Sequence, residues 1–167
     1  MKLNVTYAVG LAALLALTSN AYAAKMPKEF IKDAIQGDNS EIMLGQLAQD
    51  KGASQQVKDF GLMLVTDHTK AKAEASALAK TLNVTPPDQP MSEAKMEQEK
   101  LSKLTGNAFD HEFARYMVTD HEKDIKAFEV EAKAKAGETS TLAEKTLPDL
   151  KKHLEMAQSI SKQTPMK

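Results

Sequence analysis

Cysteine is absent from this sequence of 167 residues, and so is tryptophan. The lack of cysteine excludes disulfide bridges, thiolate metal sites, iron–sulfur clusters and cysteine nucleophiles. Aromatic residues make up only 5% of the chain. A protein with so few aromatic side chains lacks the stacking platforms on which single-stranded nucleic acids are bound.

Neither sign of charge predominates. The chain has 22 lysine and arginine residues against 23 aspartate and glutamate residues, a formal net charge of −1. A nucleic-acid-binding domain would show a basic stripe and a high isoelectric point, so we predict no nucleic-acid partner. No apolar run reaches the roughly 18 residues of a membrane-spanning helix, so we predict no membrane span. The 42% of hydrophobic and 27% of charged residues are typical of a globular protein.

The first 23 residues have the pattern of a secretory signal peptide. Lys2 is their only charged residue, residues 9–17 form a short apolar stretch, and Ala21-Tyr22-Ala23 matches an A-x-A cleavage pattern. We therefore predict a signal peptide over residues 1–23 and a periplasmic location, with a retained amphipathic anchor as the alternative. Residues 24–167 are then expected to form a single domain, long enough to bury one core without disulfides.

The remaining chain has helical periodicity between sparse glycine and proline residues, and nothing alternates with the period of a strand. Pro86, Pro87 and Pro90 mark a non-helical linker, and Pro148 predicts a late start or a kink in the last helix. Four long helices and one short connecting helix make an all-α four-helix bundle. The predicted helices are Pro27–Asp50, Ser54–Leu82, Ser92–Leu104, Asn107–Ala136 and Ser140–Lys162.

An internal repeat relates the second and third long helices. Phe60-Gly-Leu-Met-Leu-Val-Thr-Asp-His68 aligns with Phe113-Ala-Arg-Tyr-Met-Val-Thr-Asp-His121 at an offset of 53 residues, and Phe, Val, Thr, Asp and His coincide. Similarity at a fixed period indicates architecture. It favours two helical hairpins related by an approximate two-fold axis, as in ferritin-like bundles.

Three of the four histidines fall on the apolar stripes of their helices. His68 lies four residues after Leu64, His121 lies four after Met117, and His153 lies three after Leu150, so their imidazoles are expected to point inward. A single buried histidine is more often a hydrogen-bonded core residue than a ligand. Three together need polar partners, and a shared zinc, copper or iron ion would satisfy them all. No organic cofactor is predicted.

The turn positions predict that these histidines share one level of the bundle. His121 precedes Gly137 by 16 residues and His153 follows it by 16, which places each about 24 Å from that turn at 1.5 Å per residue. His68 lies 16 residues after Gly52. On the first helix, Glu41 is the preferred fourth metal ligand and Asp38 the second choice; the path of residues 83–106 decides between them.

Aspartates directly precede two of the histidines. Asp67 and Asp120 are turned about 100° from His68 and His121 around their helices. We predict that they hydrogen-bond to metal-bound imidazoles, since such rings commonly donate their other N–H to a carboxylate; helix–helix hydrogen bonds to a neighbouring imidazole and solvated charges are the alternatives. Asp110, near the start of its helix, is expected to cap that helix.

Several dispersed motifs together resemble the bacterial family labelled domain of unknown function 4142. They include Gly37-Asp-Asn-Ser-Glu41, Val57-Lys-Asp-Phe60, Val65-Thr-Asp-His68 and Leu147-Pro148 followed by His153. The resemblance runs from about Phe30 to Ile160. It implies an exported ferritin-like bundle with no settled activity.

One departure from di-iron carboxylate bundles bears on the chemistry. Those proteins use Glu-x-x-His pairs, whereas the residues three before the histidines are Val65, Val118 and Leu150. Three imidazoles with one carboxylate suit zinc, copper or a single iron better.

We therefore predict a metal-binding bundle with a role in metal handling or in envelope or oxidative stress. We favour a protein without enzymatic activity, and a metal-dependent redox activity stays open. The alternative is a non-metal envelope-stress or interaction protein whose buried histidines are structural. The metal ion is the one predicted partner, and the oligomeric state stays open.

Overall fold

The computed structural model describes residues 25–135 and 137–164. The predicted signal peptide lies outside these residues. The described chain contains helices and irregular segments but no strand, which confirms the all-α class. None of the described helices is both long and apolar enough to span a bilayer. The helices are α1 (Pro27–Lys51), α2 (Gln55–Thr81), α3 (Ser92–Ser102), α4 (Gly106–Lys133) and α5 (Glu138–Gln163).

The helix ends follow local signals in the sequence. Pro27 opens α1, where its missing N–H costs nothing. Ser54 caps α2 by accepting a hydrogen bond from the Val57 amide at 3.3 Å. The predicted late start of the last helix is wrong, because α5 begins at Glu138 and continues through Pro148. Gly137 directly precedes α5 with a φ of +76°, a backbone conformation that glycine adopts without steric cost.

The helices form a bundle in which neighbours in sequence are also neighbours in space. The most extensive packing is between α1 and α2 and between α4 and α5, and α2 joins the two pairs by packing on α5. Short α3 lies against both α1 and α4. This arrangement puts α1, α2, α4 and α5 around one interior.

Two apolar clusters fill that interior, separated along the helices by polar residues. The larger cluster includes Leu44, Phe60 and Phe113, and the smaller one includes Ile35 and Ala75. On α2, His68 falls between the members of the two clusters, and on α1 the segment 38–41 does the same. The bundle therefore contains a polar layer between two hydrophobic cores.

The close approach of α1 to α2 depends on two glycines. A Cβ atom added to Gly61 would lie 2.6 Å from the carbonyl oxygen of Gly45, and one added to Gly45 would lie 2.8 Å from that of Gly61. Both distances are too short for a methyl group. The two glycines let the backbones of α1 and α2 touch, one turn after Glu41 and two turns before His68.

Asp110 does not cap its own helix as expected. Its carboxylate is buried, and its two oxygens accept hydrogen bonds from the backbone amides of Ala53 and Ser54, both at 2.8 Å. The donors are the orphan N–H groups at the start of α2, which need acceptors. Asp110 thus fixes the start of α4 against the α1–α2 turn.

Candidate metal centre

Three imidazoles from three helices meet in the polar layer. His68 on α2 is 4% exposed, and His121 on α4 and His153 on α5 are each 1% exposed. Their ring centroids lie 6.1 Å apart for His68 and His121, 5.2 Å for His68 and His153, and 5.4 Å for His121 and His153. The helical stripes and the equal distances from the turns predicted this convergence.

Each of the three rings is held by a hydrogen bond at one nitrogen. Nδ1 of His68 lies 2.9 Å from Oδ1 of Asp38. Nδ1 of His121 donates to the backbone carbonyl of Met117 at 3.0 Å, and Nε2 of His153 lies 3.0 Å from Oδ2 of Asp67. These contacts fix the orientation of every ring.

The opposite nitrogen of each ring has no hydrogen-bond partner. These atoms are Nε2 of His68, Nε2 of His121 and Nδ1 of His153. One ring nitrogen from each histidine lies within 4.8 Å of those of the other two. A buried polar atom without a partner costs about 1–3 kcal/mol, so an electrophile at their common focus would relieve three such costs at once.

Burial favours the neutral, metal-binding form of two of these rings, His121 and His153. Desolvation, with help from the neighbouring His68 and His153, lowers the pKa of His121 from 6.5 to about 3. Burial also lowers the pKa of His153, although the hydrogen bond that its ring donates to Asp67 works in the opposite direction. His121 is therefore neutral at physiological pH, as a ligand must be.

The two candidate carboxylate ligands of α1, Asp38 and Glu41, contact different residues. Asp38, the second choice as fourth ligand, hydrogen-bonds to His68. Glu41, the first choice, is 1% exposed and lies with Asp120 and His121, one ligand atom of each being within 4.8 Å of the others. That group excludes His68 and His153, so Glu41 is not equidistant from all three histidines.

The aspartates of the internal repeat face different partners. Asp67 lies against His153 on α5, an imidazole of a neighbouring helix. Asp120, at the equivalent repeat position, lies beside Glu41 on α1. Burial, followed by the proximity of Asp120, raises the pKa of Glu41 well above its usual value.

His111, the fourth histidine of the chain, lies outside the polar layer. Its Nδ1 atom donates a hydrogen bond to the Thr164 carbonyl at 2.7 Å.

Asp124 is a further carboxyl group of this layer and was not among the predicted site residues. It lies one turn after Asp120 on α4, and burial together with Asp120 raises its pKa to about 8. A Cβ atom added to Gly37 of α1 would lie 3.8 Å from the Oδ2 atom of Asp124. The spacing of four from Asp120 was the available signal, because such residues share a helix face.

Two cavities reach the polar layer from outside. The larger, of about 310 Å³, is lined by Phe30, Asp38, His68, Asp124 and Phe128, among others. The smaller, of about 30 Å³, is lined by Asp67, His68 and His153. His68 borders both cavities.

Comparisons with known proteins agree with this architecture. The family model of DUF4142, described as a domain of unknown function, matches residues 12–160. The crystal structure of a DUF305 fragment from Deinococcus radiodurans has a TM-score of 0.71 at 16% identity, covering 84% of this chain and 99% of its own. CopM in its Cu(II)-bound form has a TM-score of 0.70 at 14% identity, covering 84% of this chain and 98% of its own. No curated protein matches the sequence.

Proposed function

The chain belongs to the DUF4142 family, and we propose that it binds a transition metal ion through His68, His121 and His153. One observation carries the proposal: three buried imidazoles are each oriented through one nitrogen and leave the other without a partner. Structural core histidines satisfy both ring nitrogens where they can. This arrangement of oriented donors is what metal-ligating histidines require.

The donor set favours zinc, copper or iron, because imidazole nitrogen suits these ions. Nitrogens bound tetrahedrally to zinc at 2.0–2.1 Å are about 3.4 Å apart. The three nitrogens, within 4.8 Å of one another, would close by at most about 1.4 Å on binding. The shared fold of CopM, described in a Cu(II)-bound form, supports testing copper first.

We propose water, and not Asp38, for the fourth coordination position, because Oδ1 of Asp38 already hydrogen-bonds to His68. Glu41 would have to swing from Asp120 toward the histidines to reach it. Water, entering through one of the two cavities, is the ligand that leaves the described contacts intact. Such a centre suits buffering or delivery of an ion, the role in metal handling or envelope stress that we propose here.

The proposal extends to the setting of the domain. We propose that the bundle is ferritin-like, with α1–α2 and α4–α5 as its two hairpins, and that it works in the periplasm after cleavage behind Ala23. Its support is the pairwise packing of the helices and the internal repeat. Detection of the mature N-terminus in a periplasmic extract would test the location.

Metal binding is tested on protein freed of metal with a chelator. We expect one equivalent of Cu(II) or Zn(II) in calorimetric titration, and a higher melting temperature. At a free ion concentration of 100 times Kd the stabilisation is about 2.7 kcal/mol, which is roughly 8 °C for a domain of this size.

Matched histidine variants complete the experiment. The double variant His68→Gln/His153→Gln should lose both effects, whereas His111→Gln, outside the layer, should retain them. Circular dichroism verifies that each variant is folded. Absence of any site tighter than millimolar in the wild-type protein would overturn the proposal and leave the alternative of structural histidines.

A further inference from the structure

A second group of ligand atoms adjoins the three histidines. One carboxylate oxygen of Glu41, one of Asp120 and one nitrogen of His121 lie within 4.8 Å of one another. Glu41 lies on α1, and Asp120 and His121 lie on α4. The set offers two oxygen donors and one nitrogen donor.

Glu41 gives this group a feature that surface carboxylates lack. Its side chain is 1% exposed, and neither of its oxygen atoms accepts a hydrogen bond. A buried carboxylate ordinarily has a paired cation or several hydrogen-bond donors. The strongest electrostatic neighbours of Glu41 are instead the carboxyl groups of Asp120, Asp124 and Asp38. In the metal-free protein a proton shared with Asp120 neutralises this pair, because burial and Asp120 raise the pKa of Glu41, and a divalent cation is the partner that could replace that proton.

The internal repeat explains how the second group arose beside the first. Asp67 and Asp120 are equivalent, 53 residues apart. Asp67 faces His153 on α5, and Asp120 faces Glu41 on α1. Glu41 thus stands in the place that His153 occupies in the other half. Two related positions result, one rich in nitrogen and one rich in oxygen.

We propose that Glu41, Asp120 and His121 form a second divalent-cation position, distinct from the one at the three histidines. Carboxylate-rich sets suit Mn(II), and a histidine among them also admits Fe(II). The large cavity, lined by Asp38 and Asp124, brings an ion within one helical turn of Asp120.

The two positions share His121, and the structure limits how they share it. Its Nδ1 atom donates to the Met117 carbonyl, so only Nε2 is free. One free nitrogen binds one ion at a time. Filling the oxygen-rich position therefore removes a ligand from the nitrogen-rich one, so each ion should weaken the binding of the other.

Mn(II) is the probe for the second position, because its free aqueous form has a six-line electron paramagnetic resonance spectrum that weakens on binding. Metal-free wild-type protein should bind one Mn(II) per chain. Glu41→Gln and Asp120→Asn should each lower the Mn(II) affinity by about tenfold or more, because loss of a residue that only orients a ligand already costs about 10–100-fold. Glu122→Gln, an exposed residue of the same helix, is the matched control and should bind as the wild type does.

A reciprocal titration separates this proposal from the proposed function. His153→Gln should lose Zn(II) binding at the histidines and keep Mn(II) binding, while Glu41→Gln should do the opposite. A wild-type protein that binds Mn(II) but not Zn(II) would overturn the histidine site and leave the second position standing. No Mn(II) binding by the wild type, or equal binding by folded Glu41→Gln and wild type, would overturn the second position.

Discussion

Acid should destabilise the metal-free bundle through His121 in a way that one substitution isolates. The pKa of this imidazole is about 3 in the folded protein, against an ordinary value of 6.5 in an unfolded chain. Between these two pH values the unfolded state holds a proton that the folded state does not. The contribution of His121 is therefore complete above pH 6.5 and is lost progressively as the pH falls toward 3.

The size of the effect follows from the shift. Each pH unit in this window changes the free energy of unfolding by about 1.4 kcal/mol per proton. From pH 6.5 to pH 4 the loss due to His121 is about 3 kcal/mol, a large part of the 5–15 kcal/mol typical of a domain. Glu41 and Asp124, whose pKa values are raised, act in the opposite direction. The wild-type profile alone therefore mixes both contributions.

Urea unfolding followed by circular dichroism measures the free energy at each pH, with a chelator present throughout. The difference between wild type and His121→Gln should shift in favour of the variant by about 3 kcal/mol from pH 7.5 to pH 4. His111→Gln is the comparison for loss of a histidine outside the layer. A wild-type-to-His121→Gln difference constant within about 1 kcal/mol would show that the folded protein accommodates the proton, which refutes the reasoning.

Three further substitutions test the packing and the ring orientation. Gly61→Ala should destabilise the fold by about 1–3 kcal/mol in urea unfolding, because the methyl group meets the Gly45 carbonyl at 2.6 Å. The control Gly37→Ala, whose added methyl group has 3.8 Å of clearance, should be tolerated. Equal destabilisation by the two substitutions would contradict the close approach of α1 and α2. Asp110→Ala should cost about 2–4 kcal/mol in the same assay by orphaning two amides, whereas Asp59→Ala, on the surface of α2, should change little. Asp67→Ala should weaken Cu(II) or Zn(II) binding about 10–100-fold by releasing the His153 ring; calorimetry measures it, and unchanged affinity would remove Asp67 from the site.

The sequence predicts those features that depend on one helix at a time. The apolar neighbours of His68, His121 and His153 determine which way each ring faces, and the turn glycines determine its height. Helix bounds follow from Pro27, Ser54 and the prolines of the linker for the same local reason.

Several features that depend on the packing of one helix against another could not be predicted from the sequence. Asp110 accepts hydrogen bonds from amides of the α1–α2 turn instead of capping its own helix, because that turn comes to lie beside it. The choice between Asp38 and Glu41 depends on how α1 sits against α2 and α4, which residues 83–106 determine. Asp124 is half-buried, and although its spacing of four from Asp120 indicates a shared helix face, one helix alone does not show that Asp38 of α1 lies near it.

The distribution of unsatisfied polar atoms argues that the polar layer exists for a ligand. Seven buried side-chain atoms of the described residues have no hydrogen-bond partner, and five of them belong to Glu41, His68, His121 and His153. At about 1–3 kcal/mol each, these atoms weaken the metal-free fold considerably. Apolar side chains there would join the two cores into one and remove that cost. A chain that keeps the layer gives up stability that a cation can restore, the trade-off expected of a binding site.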